Sequence, residues 1–121
     1  PVLSGVKDVL KTRDSEVVIF PGSGTGGWDA AVTNTLSPGD KILAARYGMF
    51  SQRWIELCRK HGLIVDVIEE QWGNGAPADR IKAALAADGD HAIKAVLATN
   101  NETATGVRSD IAAIRKALDD A

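Results

Sequence analysis

The sequence predicts an α/β fold, a three-layer α/β/α arrangement around a mostly parallel sheet, on three observations. Short apolar runs rich in β-branched residues recur at 17–20, 41–45, 63–68 and 94–98, and they are continuous rather than alternating, as in strands covered on both faces. Segments with helical spacing lie between them, so the elements alternate as βαβα. Glycine, proline and aspartate punctuate the junctions, as in Ser37-Pro38-Gly39-Asp40.

Taken in order, Val2, Leu3, Val6, Val9 and Leu10 recur at helical spacing from the second residue, with no start methionine before them. The chain is therefore expected to begin inside an element of a longer protein. Residues 17–20, Val-Val-Ile-Phe, read as a buried strand, which Pro21-Gly22 stops. A helix is expected from Thr25 to Thr35. Between strand and helix lies Gly22-Ser23-Gly24-Thr25-Gly26-Gly27, the stretch around which the rest is expected to be arranged. A glycine-rich turn entering a helix leaves backbone N–H donors and the positive end of the helix dipole facing one space, the geometry of an anion site. Ser23 and Thr25 add hydroxyl donors that a purely structural turn does not need, which favours phosphate.

After the turn at 37–40, residues 41–45 form a short strand and 46–49 a loop. Residues 50–61 read as a helix that buries Trp54, Ile55, Leu57 and Cys58, with Gly62 placed to end it in a left-handed conformation. The next strand is 63–68, the next loop 69–76, and Pro77 suits the first turn of a helix burying Ile81 and Leu85. The strand at 94–98 is followed by Thr99-Asn100-Asn101-Glu102-Thr103-Ala104-Thr105-Gly106, a loop with more hydroxyls, amides and charge than turning requires. Ser109 is placed to cap a last helix carrying Ile111, Ile114 and Leu118. Ligands of such sheets bind outside the carboxyl ends of the strands, which selects the loops at 21–25, 46–50, 69–72 and 99–106.

Composition narrows the function. The chain has 121 residues, 45% apolar, enough for one core. With 14 basic and 16 acidic residues and no basic stripe, nothing points to nucleic acid or an anionic membrane as partner. The single cysteine, Cys58, cannot form an internal disulfide, and a reducing cytoplasm is expected. It reads as a buried small apolar residue. Trp28 and Trp54 read as packing residues and Trp72 as a loop or interface residue. His61 and His91 lack the spacing for metal or triad chemistry, and no metal site is expected.

Four motifs in order, Gly22-Ser23-Gly24-Thr25-Gly26, Ser37-Pro38-Gly39-Asp40, Tyr47-Gly48-Met49-Phe50-Ser51-Gln52-Arg53 and Asn101-Glu102-Thr103-Ala104-Thr105-Gly106-Val107, resemble the class V aminotransferases of the fold type I pyridoxal-phosphate group, nearest their serine–glyoxylate and alanine–glyoxylate branch. The resemblance covers nearly the whole chain. It implies pyridoxal 5'-phosphate as cofactor and transfer of an amino group from serine or alanine to glyoxylate or a similar 2-oxo acid, in a homodimer. It also implies site residues: Ser23, Gly24 and Thr25 at the cofactor phosphate, Phe50 stacked on the pyridine ring where many relatives have tryptophan, and Thr103 near the ring hydroxyl. These fit the chemistry, since a flat aromatic orients a ring and a hydroxyl beside a phenolate oxygen tunes it as an electron sink. The lysine that carries the cofactor, the aspartate on the pyridine nitrogen and the substrate-carboxylate arginine match nothing in these positions. Residues 1–121 are therefore expected to be part of a cofactor-binding large domain and inactive alone. The resemblance further implies a sheet in which 94–98 and 63–68 flank 41–45, with 17–20 set apart.

The alternative is a Rossmann-type nucleotide-binding domain with Gly22, Gly24 and Gly27 as its G-x-G-x-x-G. Such a domain places an acidic residue at the end of its second strand for the ribose, and this chain has Ala44-Ala45-Arg46 there.

Overall fold

The structure, a computed structural model, describes residues 2–121. Helix α1 (Val2–Val9) buries none of its side chains. The segment at 17–20 is not the buried strand its composition predicts: it has no ladder partner, and Val18, Ile19 and Phe20 are 68%, 61% and 82% exposed. A strand belongs to a ladder and not to a run of β-branched residues, because its amides and carbonyls need a neighbour. None of the described strands lies beside this one.

Helix α2 (Gly24–Thr35) follows, then β1 (Lys41–Arg46), α3 (Met49–Lys60), β2 (Ile64–Glu69), α4 (Ala78–Ala86) and β3 (Ile93–Leu97). The three strands form a parallel sheet in the order β2-β1-β3, the arrangement the resemblance implies for them. β1 pairs with β2 in continuous register from Lys41 opposite Ile64 to Arg46 opposite Glu69, and its register against β3 shifts once, between Lys41 and Ile42.

β1 is central, with both edges paired, and helices cover both of its faces. Ile42 and Ala44 pack with Val32 of α2, Ile55 and Cys58 of α3, Leu63 and Leu97. Leu43 and Ala45 pack on the other face with Tyr47, Ile68, Ala76, Ile81 of α4 and Ile114 of α5 (Ile111–Asp119). Two cores back to back across one sheet give the three layers the sequence predicts. Among the described residues no helix is long and apolar enough to cross a membrane.

Turn chemistry sets the helix ends. Gly62 follows α3 at φ 78°, the left-handed residue expected there, and a Cβ on it would meet Pro38 Cβ at 3.3 Å. His61 at the end of α3 also reaches Asp29 of α2, Nε2 to Oδ1 2.6 Å. On the opposite face Asp120, just past α5, pairs with Lys82 of α4 and Lys116, and these hydrogen bonds hold its carboxyl down to about 2.

Three local expectations change. Pro77 is the N-cap of α4 and not its first helical residue. The 99–106 loop forms one strand and the turn of a short hairpin, β4 (Asn101–Glu102) against β5 (Val107–Arg108), because Glu102 C=O accepts from Thr105 and Gly106 N–H and closes a tight turn. Asp110, not Ser109, caps α5: its Oδ1 accepts Ala113 N–H at 2.9 Å, while Ser109 is buried and turned inward.

Cys58 is fully buried, and burial pushes its thiol up to about 11. It is expected to resist an aromatic disulfide reagent at pH 8 in the folded protein and to react at once in denaturant, since the thiolate is the reactive form. Rapid reaction without denaturant would overturn that placement.

Candidate functional site

Ser23, in extended conformation, is the N-cap of α2: its Oγ accepts Gly26 N–H at 3.3 Å and its carbonyl accepts Gly27 N–H at 3.1 Å. The amides of Gly24 and Thr25 meet no acceptor among the described residues. Two free N–H groups, the proton of the Ser23 hydroxyl and the positive end of a 12-residue helix thus share one helix terminus. Nothing lies within 4 Å of where a Cβ on Gly22, Gly24 or Gly27 would stand, so the loop is open to a bound group.

The two hydroxyls do not converge on one cleft. Ser23 lines a cleft of about 260 Å³ with Phe20 and Gly22, whereas Thr25 lines one of about 340 Å³ between α2 and α3, with Asp29, Arg53 and His61. They flank the first turn of α2, and its free amides lie between them in the chain.

Phe50 lies in the first turn of α3, just beyond the carboxyl end of β1, where the sequence puts it. Its ring is half-buried and stands edge-on to Trp28 of α2, centroids 6.1 Å apart at 71°, with the Arg53 guanidinium 6.0 Å from its centroid. Trp28 in turn stacks on Trp54, centroids 5.3 Å apart and 9° from parallel, so both tryptophans are packing residues as expected. The indole N–H of Trp54 is buried and meets no acceptor among the described residues. Because Trp28 is one turn beyond Gly24, this aromatic contact brings the glycine-rich loop and Phe50 to one end of the fold. Trp72 is half-exposed in the loop after β2.

Thr103 is exposed in the turn between β4 and β5. Its neighbour Glu102 is 1% exposed, and its two oxygens accept Phe50 N–H at 3.1 Å and Ser51 N–H at 2.9 Å. The backbones carrying Phe50 and Thr103 are therefore tied together although they come from distant parts of the chain. Gly48 makes room for this: a Cβ there would stand 2.3 Å from Glu102 Cγ and Cδ.

A second buried cluster supports the same loops. Tyr47, 0% exposed, donates its hydroxyl to Thr99 C=O at 2.6 Å. Ser109 Oγ accepts Ala76 N–H at 3.1 Å and lies 3.2 Å from the Tyr47 hydroxyl and 3.0 Å from Thr99 C=O. Ser51 Oγ accepts Tyr47 N–H and donates to Gly48 C=O, locking the turn from β1 into α3. These contacts join the loops after β1, β2 and β3. Residue-type reasoning passed over Glu102, Tyr47 and Ser109 as individual site residues; the available signal was Glu102 standing alone as a carboxylate in an otherwise neutral loop.

The nucleotide-binding alternative is not favoured. Its glycines follow a segment outside the sheet, and the carboxyl end of β1 carries Arg46, engaged by Glu69, in place of a ribose-binding acid.

A family model described as aminotransferase class V matches residues 2–121. The L-aspartate–glyoxylate aminotransferase of Paracoccus denitrificans is 64% identical over 119 residues, covering 98% of this chain and 30% of that protein. The serine–glyoxylate aminotransferase of Hyphomicrobium methylovorum is 51% identical over 119 residues, covering 98% of this chain and 29% of that protein. Among solved structures, pyridoxamine–pyruvate aminotransferase from Mesorhizobium loti has the same fold over 98% of this chain and 30% of its own, with a TM-score of 0.84 at 19% identity. An aspartate aminotransferase of subgroup IV from Thermus thermophilus gives a TM-score of 0.75 at 29% identity, over 88% of this chain and 29% of its own. The chain thus spans about 30% of the length of these relatives. Its fold is a portion of the fold type I architecture, and, matched along all but its first residue, the chain belongs to the class V aminotransferases.

Proposed function

We propose that the full-length protein is a pyridoxal-phosphate-dependent aminotransferase that uses glyoxylate as amino acceptor, and that residues 1–121 are part of its cofactor-binding large domain. The observation that carries the reading is the first turn of α2, where the amides of Gly24 and Thr25 lack acceptors beside the Ser23 hydroxyl. That donor set fits a phosphate dianion, which takes several N–H and O–H donors and gains from the helix dipole. When bound, the cofactor supplies an electron sink for breaking bonds at the amino-acid α-carbon. The chain's own part is to hold it: Ser23, Gly24 and Thr25 at the phosphate, Phe50 across the ring face, Thr103 at the ring hydroxyl.

Glyoxylate is supported by the names of both relatives above, which share it as a substrate. The donor we propose is serine or alanine; the 64%-identical relative named for aspartate makes aspartate the competitor to test beside them. We place the protein in the cytoplasm as a homodimer, on the support of one buried, free cysteine and of the exposed apolar run at 17–20.

The test uses the full-length protein. Wild type is expected to show a visible cofactor band and to turn glyoxylate into glycine with one of the three donors. Thr25→Val is expected to weaken cofactor binding by about 1.5–3 kcal/mol, the range for a hydrogen bond to a charged group. No cofactor band in wild type, or unchanged affinity in Thr25→Val, would count against the reading and against the phosphate assignment respectively.

A further inference from the structure

We infer that Glu102 is the positioning residue of the cofactor ring, fixing Phe50 and Thr103 relative to one another before any ligand arrives. This rests on the pyridoxal-phosphate reading and adds to it a residue that touches neither cofactor nor substrate.

The argument starts from the cap of α3. A helix N-terminus is ordinarily capped by the residue at its own start, with Ser, Thr, Asp or Asn at the N-cap. Here the N-cap is Gly48, which has no side chain to offer, and the acceptor comes from Glu102, 52 residues on from Phe50. For helix stability alone a serine at position 48 would serve. A distant carboxylate does something a local cap cannot: it makes the start of α3 and the β4–β5 turn one rigid unit.

The carboxylate is held on every side. Both oxygens are occupied by amide donors, and Ala104 N–H lies a further 3.4 Å from Oε1. It forms no ion pair among the described residues, so its charge is met by amides at the positive end of α3. Its backbone carbonyl accepts from Thr105 and Gly106, which closes the turn that presents Thr103. One residue therefore fixes Phe50 with its side chain and Thr103 with its main chain.

The experiment measures binding geometry as well as activity in the full-length protein. Glu102→Gln keeps the length of the side chain but turns an N–H₂ donor toward an amide donor. It is expected to weaken cofactor binding about tenfold, as for loss of one buried charge-assisted hydrogen bond, and to change the induced circular dichroism of the bound cofactor. Phe50→Ala is expected to cost less affinity in the Glu102→Gln background than in wild type, because the ring is already misplaced. A melting temperature that falls while affinity and dichroism stay at wild-type values would reduce Glu102 to a structural cap and overturn the inference. So would equal losses from Phe50→Ala in both backgrounds. Hydrogen exchange of the wild-type Phe50 and Ser51 amides needs no variant: protection is expected without the cofactor, and free exchange there would also overturn the proposal. If wild type itself binds no pyridoxal phosphate, the functional reading fails and this inference falls with it; normal binding by both wild type and Glu102→Gln sinks the inference alone.

Discussion

Replacing Gly48 by alanine is expected to cost the full-length protein about 2–6 kcal/mol of stability, with the buried Ser51 amide and the part-buried Phe50 amide each losing a partner worth about 1–3 kcal/mol. Backbone strain is not the cause, since Gly48 has φ 175°, extended and open to any residue. The cause is space: the new methyl would stand 2.3 Å from Glu102 Cγ and Cδ and 2.7 Å from Oε2. An exposed glutamate would swing away at little cost. Glu102 is 1% exposed and grips Phe50 and Ser51, so it moves only by releasing them. Denaturant unfolding of Gly48→Ala beside Gly89→Ala measures this. No atom lies within 4 Å of a Cβ at Gly89, and that control is expected to stay within about 0.5 kcal/mol of wild type. A Gly48→Ala loss no larger than the control's would show that Glu102 has somewhere to go.

The second large effect is expected when residues 1–121 are produced by themselves. The outer edges of β2 and β3 have no neighbour among the described strands, and Val18, Ile19 and Phe20 present apolar surface to solvent. Unpaired edges beside exposed apolar residues template association between copies. Sedimentation at micromolar concentration is expected to show oligomers or aggregate, and substituting Ile19 and Phe20 by serine is expected to lower that fraction. A monodisperse monomer that binds no hydrophobic dye would mean that the sheet tolerates its open edges.

What the sequence made legible follows from how local each signal is. The alternation of elements, the left-handed Gly62 and the burial of Cys58 are written in spacings of a few residues, and the structure agrees with them. Residues 17–20 carry an equally strong strand signal but not the neighbour that a strand requires, which composition cannot supply. Ser109 illustrates the opposite failure. It precedes a helix and reads as a cap, yet Asp110 takes that role because the Ser109 hydroxyl is drawn to Ala76, Tyr47 and Thr99, 10 to 62 residues away. The candidate site divides in the same way. The α2 turn is contiguous and its helix start is legible from adjacent residues, whereas the tie between Phe50 and Glu102 exists only once the sheet has brought the loops together.

The 52-residue separation between Phe50 and Glu102 also sets an order in time. During synthesis at about 5–20 residues per second, the start of α3 leaves the ribosome roughly 3–10 seconds before the residue that caps it. β1, α3 and β2 are consecutive and can pack as they emerge, burying Ile42, Ile55 and Leu63 early. Throughout that interval the amides of Phe50 and Ser51 are bound to water. All of the core on this side of the sheet except what β3 adds through Leu97 can thus pack before the ring-holding geometry forms, so a nascent chain can be largely packed and still have no place for a cofactor.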